Sequence, residues 1–423
     1  MLLVDGARQV GKTYLIDAFC KEHFSNYISI NLGLTLKAIA SFERASSVED
    51  FLLVVSSYAN KPLVSGDTVV FIDKLQLAPQ IDFIAMAKGF ALDGRYRFIF
   101  SGSLLSVSEF KIALDPIGYL YEETMYPLDF EEFMWANSVQ EEVISKAKEC
   151  FKERKAVPDF IHESFMNLFY VYLMVGGMPE VVASYAETKD LAVAHEKQSV
   201  IASIYKKDIT RYADVALRPY VNLTYDLIPS ELWSKSKRFT LGKVAKDYAL
   251  SRIDNDFLWL ADAGVAIPVY NAREPKEPLL LSKNSRLMKL FSNDVGMLCF
   301  RLLDTGIAQA ILSHQKDINF GGIFENAAAQ ELHAHGFGDD RLFYSASKKQ
   351  GEVDFLISYK GKIMPIEIKS GKDYKRHVAL DNLFANEDYG IEEAFVFGDF
   401  NLQSYARKTY FPIYMIGELD RLG

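Results

Sequence analysis

Short apolar runs alternate with amphipathic ones along the first third of the chain. Asn26–Asn31, Thr68–Asp73 and Tyr96–Ser101 have the length and β-branched or aromatic content of strands. Residues 14–19, Val48–Tyr58 and Ile81–Phe90 carry helical periodicity. This alternation predicts an α/β domain over residues 1–140, with a mostly parallel sheet covered by helices on both faces. Further on, Phe160–Val175 and Ala192–Tyr212 predict long helices of a helical lid over residues 141–215. Gly176-Gly-Met-Pro179 punctuates the end of the first of these helices. Leu241–Tyr248 and Ser251–Ala263 predict paired helices, and residues 264–270 a strand, the pattern of a winged-helix module over residues 216–275. A helix over 322–332 and strands over 351–357 and 364–369 predict a second α/β domain over residues 276–423.

Between the first apolar run and the first helix lies Gly6-Ala7-Arg8-Gln9-Val10-Gly11-Lys12-Thr13-Tyr14, which matches G-x-x-x-x-G-K-[ST]. The strand–loop–helix context is the one in which that motif cradles phosphate. The glycines let the backbone curl, and the helix N-terminus adds partial positive charge. Lys12 is placed to reach β- and γ-phosphates, and the Thr13 hydroxyl to ligate Mg²⁺. Ligands of parallel sheets bind beyond the carboxyl ends of the strands, the edge where Asp73 and Ser101 also fall. Asp73 ends an apolar strand, as a metal-directed Walker B acid does. Ser101-Gly-Ser103 brings hydroxyls toward a γ-phosphate, although the same tripeptide is common turn chemistry. The expected ligands are therefore ATP or ADP with Mg²⁺.

Composition narrows the class. The chain has 423 residues, 49% of them hydrophobic and 24% charged, a balance that supports packed cores. A net charge of −9 excludes a generic polyanion binder, so any nucleic-acid contact needs a local basic patch. Cys20, Cys150 and Cys299 are odd in number and widely spaced, which predicts no disulfide framework and a reducing, cytoplasmic setting. No apolar run is long enough for a membrane span. The chain opens directly on the phosphate-loop strand, so no signal peptide is expected.

Gly-Ala-Arg-Gln-Val-Gly-Lys-Thr, Phe71-Ile-Asp-Lys-Leu-Gln76, Phe100-Ser-Gly-Ser103, Tyr126-Pro-Leu-Asp-Phe-Glu-Glu-Phe133 and Gly176-Gly-Met-Pro179 together resemble a prokaryotic AAA-type ATPase family. Its members pair this ATPase with a C-terminal domain of unknown function, and the resemblance covers nearly the whole chain. It implies an adenine nucleotide, yet relatives carry residues before the first strand that help hold the base. The family pattern also has Asp-Glu after the Walker B strand, where this chain has Asp73-Lys74. The glutamate polarises the attacking water, and a protonated lysine cannot. Nucleotide binding with slow or absent hydrolysis is the expectation. Arg211, in a basic helical segment, is read either as an arginine finger or as a surface ion-pair residue.

In the last domain, Glu325 lies on a helix, Asp354 on a strand, and Glu367 and Lys369 on the next strand. Period two puts Glu367 and Lys369 on one face, with Ile366 and Ile368 on the other. Tyr359-Lys-Gly-Lys362 predicts a hairpin between the two acidic strands. The order Glu…Asp…Glu-x-Lys resembles the PD-(D/E)XK nuclease fold. That resemblance implies Mg²⁺ on Asp354 and Glu367, a water-directed role for Lys369, and Glu325 completing the metal shell. Lysines and arginines at 348, 349, 360, 362, 372, 375 and 376 surround the motif. DNA is thus one candidate partner. A protein partner of a non-catalytic switch is the rival, and self-assembly is a further option. His333 and His335, spaced i, i+2, are read as surface or helix-end residues rather than ligands.

Overall fold

A computed structural model describes residues 1–83, 86–103, 118–234, 236–239, 258–302, 311–313, 320–371 and 374–421. They fall into two compact units. The first comprises Met1–Tyr126, Asp208–Val215 and Leu258–Gly264, and the second Pro127–Lys207, Ala216–Phe257 and Val265–Gly423. Among the described residues no helix is long and apolar enough to cross a membrane. Cys20, Cys150 and Cys299 are buried free thiols.

In the first unit, strands β1 (Leu2–Asp5), β2 (Asn26–Asn31), β3 (Thr68–Asp73), β4 (Arg97–Ser101) and β5 (Tyr121–Thr124) form a sheet of order β2-β3-β4-β1-β5. All its pairings are parallel. The interior strand β3 is buried along its whole length, as a strand covered on both faces must be. One face packs on Phe42, Phe51, Phe83, Phe90, Phe98 and Phe100, with the Phe90 and Phe98 rings stacked 4.4 Å apart. Helix Val48–Tyr58 starts where Ser47 accepts the Asp50 N–H, and Glu49 and Asp50 in its first turn complement the helix dipole. The helix expected over Ile81–Phe90 instead spans Ala87–Asp93, and residues 84–85 lie outside the described set. Register pairs Asn31 with Asp73 and Asp73 with Ser101, so three polar residues finish neighbouring strands at one edge.

The second unit holds a mixed sheet of order β12-β13-β11-β10-β9-β8-β6-β7. Its strands are β6 (Ala266–Ala272), β7 (Lys283–Ser292), β8 (Leu342–Ser347), β9 (Gly351–Tyr359), β10 (Lys362–Lys369), β11 (Ala394–Gly398), β12 (Gln403–Tyr405) and β13 (Lys408–Pro412). β9 and β10 form the expected antiparallel hairpin, turned through Lys360 and Gly361 at positive φ of 50° and 72°. The strand expected as part of a winged helix is β6, which pairs with β7 and β8 in this sheet. Residues 221–233 belong to one helix, Arg218–Trp233; residues 240–257, which hold the expected helix Leu241–Tyr248 and the first part of Ser251–Ala263, lie outside the described set, and residues 258–262 are helical. Helices Glu141–Glu153, Asp159–Val175 and Pro179–Thr188, expected as a lid, belong to this second unit.

The segments around Leu128 and Gly177 meet in this unit. Leu128 N–H donates to Gly177 O at 2.7 Å, and Gly177 N–H donates to Asp294 Oδ2 at 2.6 Å. Asp294 also accepts the Met297 N–H at 2.8 Å, at the start of helix Val295–Leu302. The Tyr172 hydroxyl lies 3.0 Å from both Leu128 O and Glu331 Oε1. A Cβ on residue 177 would stand 2.0 Å from Leu128 O, a backbone atom that cannot swing aside. Gly177→Ala is therefore expected to destabilise the second unit by about 3 kcal/mol, read as a lowered urea midpoint for its transition.

Candidate functional site

The phosphate-binding loop is held in its curl by close backbone approach. Gly6 sits at φ 128°, and a Cβ there would lie 2.2 Å from Met125 O. Gln9 and Gly11 also take positive φ, at 69° and 90°. Ala7 and Val10 are buried and anchor the loop. No side chain caps helix Lys12–His23 at Gly11, which leaves its first N–H groups for an anion. Lys12 Nζ donates to Gly6 O and Ala7 O, both at 2.7 Å. Burial lowers this ammonium to about 8, against the pull of Asp5 and Asp73. A buried cation resting on two carbonyls is suited to a phosphate oxygen. Tyr14, the last residue of the expected loop set, is exposed.

Asp73 is the centre of the strand edge. Its Oδ2 accepts from the Thr13 hydroxyl at 2.9 Å and from Asn31 Nδ2 at 2.8 Å, and its Oδ1 from the Ser101 hydroxyl at 2.6 Å. Thr13, Asp73 and Ser101 thus converge. Asn31 joins them, a strand-end amide that the sequence reading assigned no role. Ser103 is buried, and its N–H donates to Gln76 Oε1 at 3.2 Å. The hydroxyl–carboxylate pair Thr13/Asp73 beside Lys12 has the donor set that Mg²⁺ with a nucleotide phosphate uses, so the residues present fit that group.

Two neighbours modify the loop. Arg8 Nη1 donates to Asp208 Oδ1 at 2.6 Å and its Nε to the Ser103 hydroxyl at 3.4 Å. Burial raises Asp208 to about 6, with Arg8 and then Arg211 opposing. Arg211 itself is exposed and lies over the Tyr212 ring at 5.3 Å. Lys74 takes a left-handed conformation, φ 66°, and folds its chain along Gly33, where a Cβ would meet Lys74 Nζ at 3.3 Å.

A second polar site lies in the second unit. Glu367 and Lys369 pair at 2.8 Å on β10, and Asp354 Oδ2 on β9 accepts the Ile368 N–H at 2.8 Å. Glu325 is buried on helix Gly321–Leu332 and is bound by Lys237 and, at 3.2 Å, by Lys289. Lys289 is fully buried on β7 and also lies 2.9 Å from Glu352 and 3.7 Å from Asp354. Arg238 holds the other oxygen of Glu352 at 3.2 Å. Burial alone would lower Lys289, but Glu325, Asp354 and Glu352 carry it above the usual lysine range. Burial, with Asp354 beside it, raises Glu367 to about 7 and also raises Glu325. Burial would raise Asp354 too, but Lys289 and Lys237 hold it below the usual carboxylate range.

Glu325, Glu352, Asp354 and Glu367 are thus matched by Lys237, Arg238, Lys289 and Lys369. The nuclease resemblance would have Glu325 complete a metal shell. Among the described residues, the one set of three or more ligand side chains with donor atoms within 4.8 Å of one another is Asp129, Glu331 and His335. Both oxygens of Glu325 are bound by lysines. A divalent cation at Asp354 and Glu367 would enter a charge-balanced cluster.

Residues 1–134 match the family model described as an AAA domain, residues 166–313 one described as a domain of unknown function (DUF8612), and residues 320–416 another (DUF4143). The parallel sheet and phosphate-binding loop of the first unit lie within the stretch that matches the AAA model. Among solved structures the chain is similar to a Walker-type ATPase of Pyrococcus abyssi, at 13% identity over 71% of this chain and 91% of that one, TM-score 0.39. It is also similar to a chain of Drosophila ORC bound to DNA, at 13% identity over 74% and 88%, TM-score 0.25. A third likeness is to the ORC1 protein of Aeropyrum pernix in complex with DNA, at 9% identity over 74% and 86%, TM-score 0.24. No curated protein matches.

Removing the buried ammonium strands three carboxylates. Lys289→Ala is expected to destabilise the second unit by about 3–5 kcal/mol, measured by urea unfolding at neutral pH.

Proposed function

We propose that the chain is a nucleotide-binding AAA-type protein that holds ATP or ADP with Mg²⁺ and hydrolyses ATP slowly, acting as a switch rather than a motor. The observation that carries this reading is the convergence of Thr13, Asn31 and Ser101 on Asp73 beside Lys12, with a lysine at position 74. Lys12 would contact the β- and γ-phosphates, and Thr13 and Asp73 would hold the metal. Lys74 supplies no carboxylate to take a proton from water. Nucleotide affinity and turnover of the wild type, Lys12→Ala and Lys74→Glu test this. Lys12→Ala is expected to lose about 100-fold in affinity, and Lys74→Glu to gain about 100-fold in turnover. Wild-type turnover of about 10 s⁻¹, abolished by Lys12→Ala, would sink the switch reading.

The polar site of the second unit supports a second reading, a nuclease-like domain that engages DNA. β8 ends, β9 begins and β10 ends at one edge of the sheet, the edge that carries Glu352, Asp354, Glu367 and Lys369. Exposed Lys348, Lys349, Lys375 and Arg376 follow or precede those strand ends and would face a phosphodiester backbone. The Glu367–Lys369 pair beside Asp354 favours metal-assisted cleavage, with Lys369 directing water. The charge balance at Lys289 favours binding without cleavage. Incubation with plasmid and single-stranded DNA in Mg²⁺ or Mn²⁺ separates the two. Binding without nicking is expected, whereas nicking lost in both Glu367→Ala and Lys369→Ala would establish the nuclease.

A further inference from the structure

His335 does not behave as a helix-surface residue. Helix Gly321–Leu332 gives way to a kinked turn in which His335 (φ −94°, ψ 27°) and Gly336 (φ 80°) leave helical geometry. The imidazole thereby turns to Asp129, with Nε2 3.1 Å from Oδ2. Asp129 uses its other oxygen to cap helix Phe130–Ala136, accepting the Glu132 N–H at 2.8 Å. Glu331, on the last turn of its own helix, is divided the same way. Its Oε1 accepts the Phe130 N–H and faces the Tyr172 hydroxyl, each at 3.0 Å. Its Oε2 points elsewhere.

Where it points is informative. A Cβ at Gly417 would stand 3.0 Å from Glu331 Oε2 and 3.0 Å from His335 Nε2. The two donor atoms therefore address one small space in front of a residue that has no side chain. That space belongs to a cavity of about 30 Å³ lined by Asp129, Glu331, His335 and Gly417 and walled by Met134 and Phe165. The three donor atoms lie within 4.8 Å of one another. Burial, then the neighbouring Asp129, raises Glu331 to about 8. Glu131, Glu418 and Lys148 also line the cavity, with Lys148 paired to Glu131 and 3.9 Å from Glu418.

We propose that Asp129 Oδ2, Glu331 Oε2 and His335 Nε2 form a site for a divalent first-row metal ion of the zinc type. One imidazole and two carboxylates are a borderline donor set, which favours zinc, cobalt or manganese over calcium. Tetrahedral bonds of about 2.0–2.2 Å set donors roughly 3.4 Å apart, and His335 Nε2 and Asp129 Oδ2 already stand 3.1 Å from each other. The cavity has room for one water as fourth ligand. Asp129 Oδ1 and Glu331 Oε1 keep their backbone donors throughout, so the ion would tie two helix ends together without unmaking the caps. It is a structural role, independent of nucleotide binding.

The test uses the full chain, stripped with a chelator and titrated with Zn²⁺ by calorimetry and with Co²⁺ by visible absorption. One site of about 1 µM affinity or tighter is expected. Asp129→Asn preserves the helix cap, and His335→Ala lies in a turn, so both should fold. Each is expected to weaken that site about 100-fold. Gly417→Ala should fill the space and abolish binding, while Lys12→Ala should leave it unchanged, which separates this site from the nucleotide metal. Absence of Zn²⁺ and Co²⁺ binding by the wild type would overturn the proposal, as would binding unchanged in Asp129→Asn and His335→Ala.

Discussion

One carboxylate organises the first unit. Asp73 is almost wholly buried, and a buried charge must find donors or not ionise. It finds them on three separate elements: the helix after the phosphate loop, the end of β2 and the end of β4. The parallel register and the loop conformation are therefore set together, because a slip of one residue in either flanking strand would remove a donor. The same oxygens are those a nucleotide-bound metal would seek.

The second unit solves a related problem with other means. Its segments approach so closely at Leu128 and Gly177 that only a missing side chain permits the contact. Around that junction Tyr172, Gln330, Glu331 and Asp294 knit three helices and a loop through buried hydrogen bonds. The carboxylates beyond it are held by cations on β7, on β10 and in the segment after helix Arg218–Trp233. Structural and chemical acids share one helix, Gly321–Leu332, with Glu325 and Glu331 serving different clusters at its two ends.

Much of this is visible in the sequence because local signals agree. Ser47 followed by Glu49 and Asp50 marks a helix start, and β3 reads as a strand because all six residues suit a core position. Lys-Gly between alternating runs gives the β9–β10 hairpin. Other features have no local signature. Asn31 reads only as the last residue of a strand until register places it beside Asp73. Lys289 sits in an apolar run where residues 288–292 are all buried, so alternation cannot show which face it serves. His335 escapes helical spacing because the helix has already ended. β6 reads as a wing strand after two short helices, and only long-range pairing assigns it to the C-terminal sheet.

Lys289 carries a consequence of its own. A metal ion that neutralises buried acids can dissociate, be chelated or be exchanged for another ion. An ammonium fixed to a strand can do none of these. The cluster it serves keeps its charge balance whatever the cell's supply of divalent ions, and its only regulator is the integrity of the sheet that delivers the lysine.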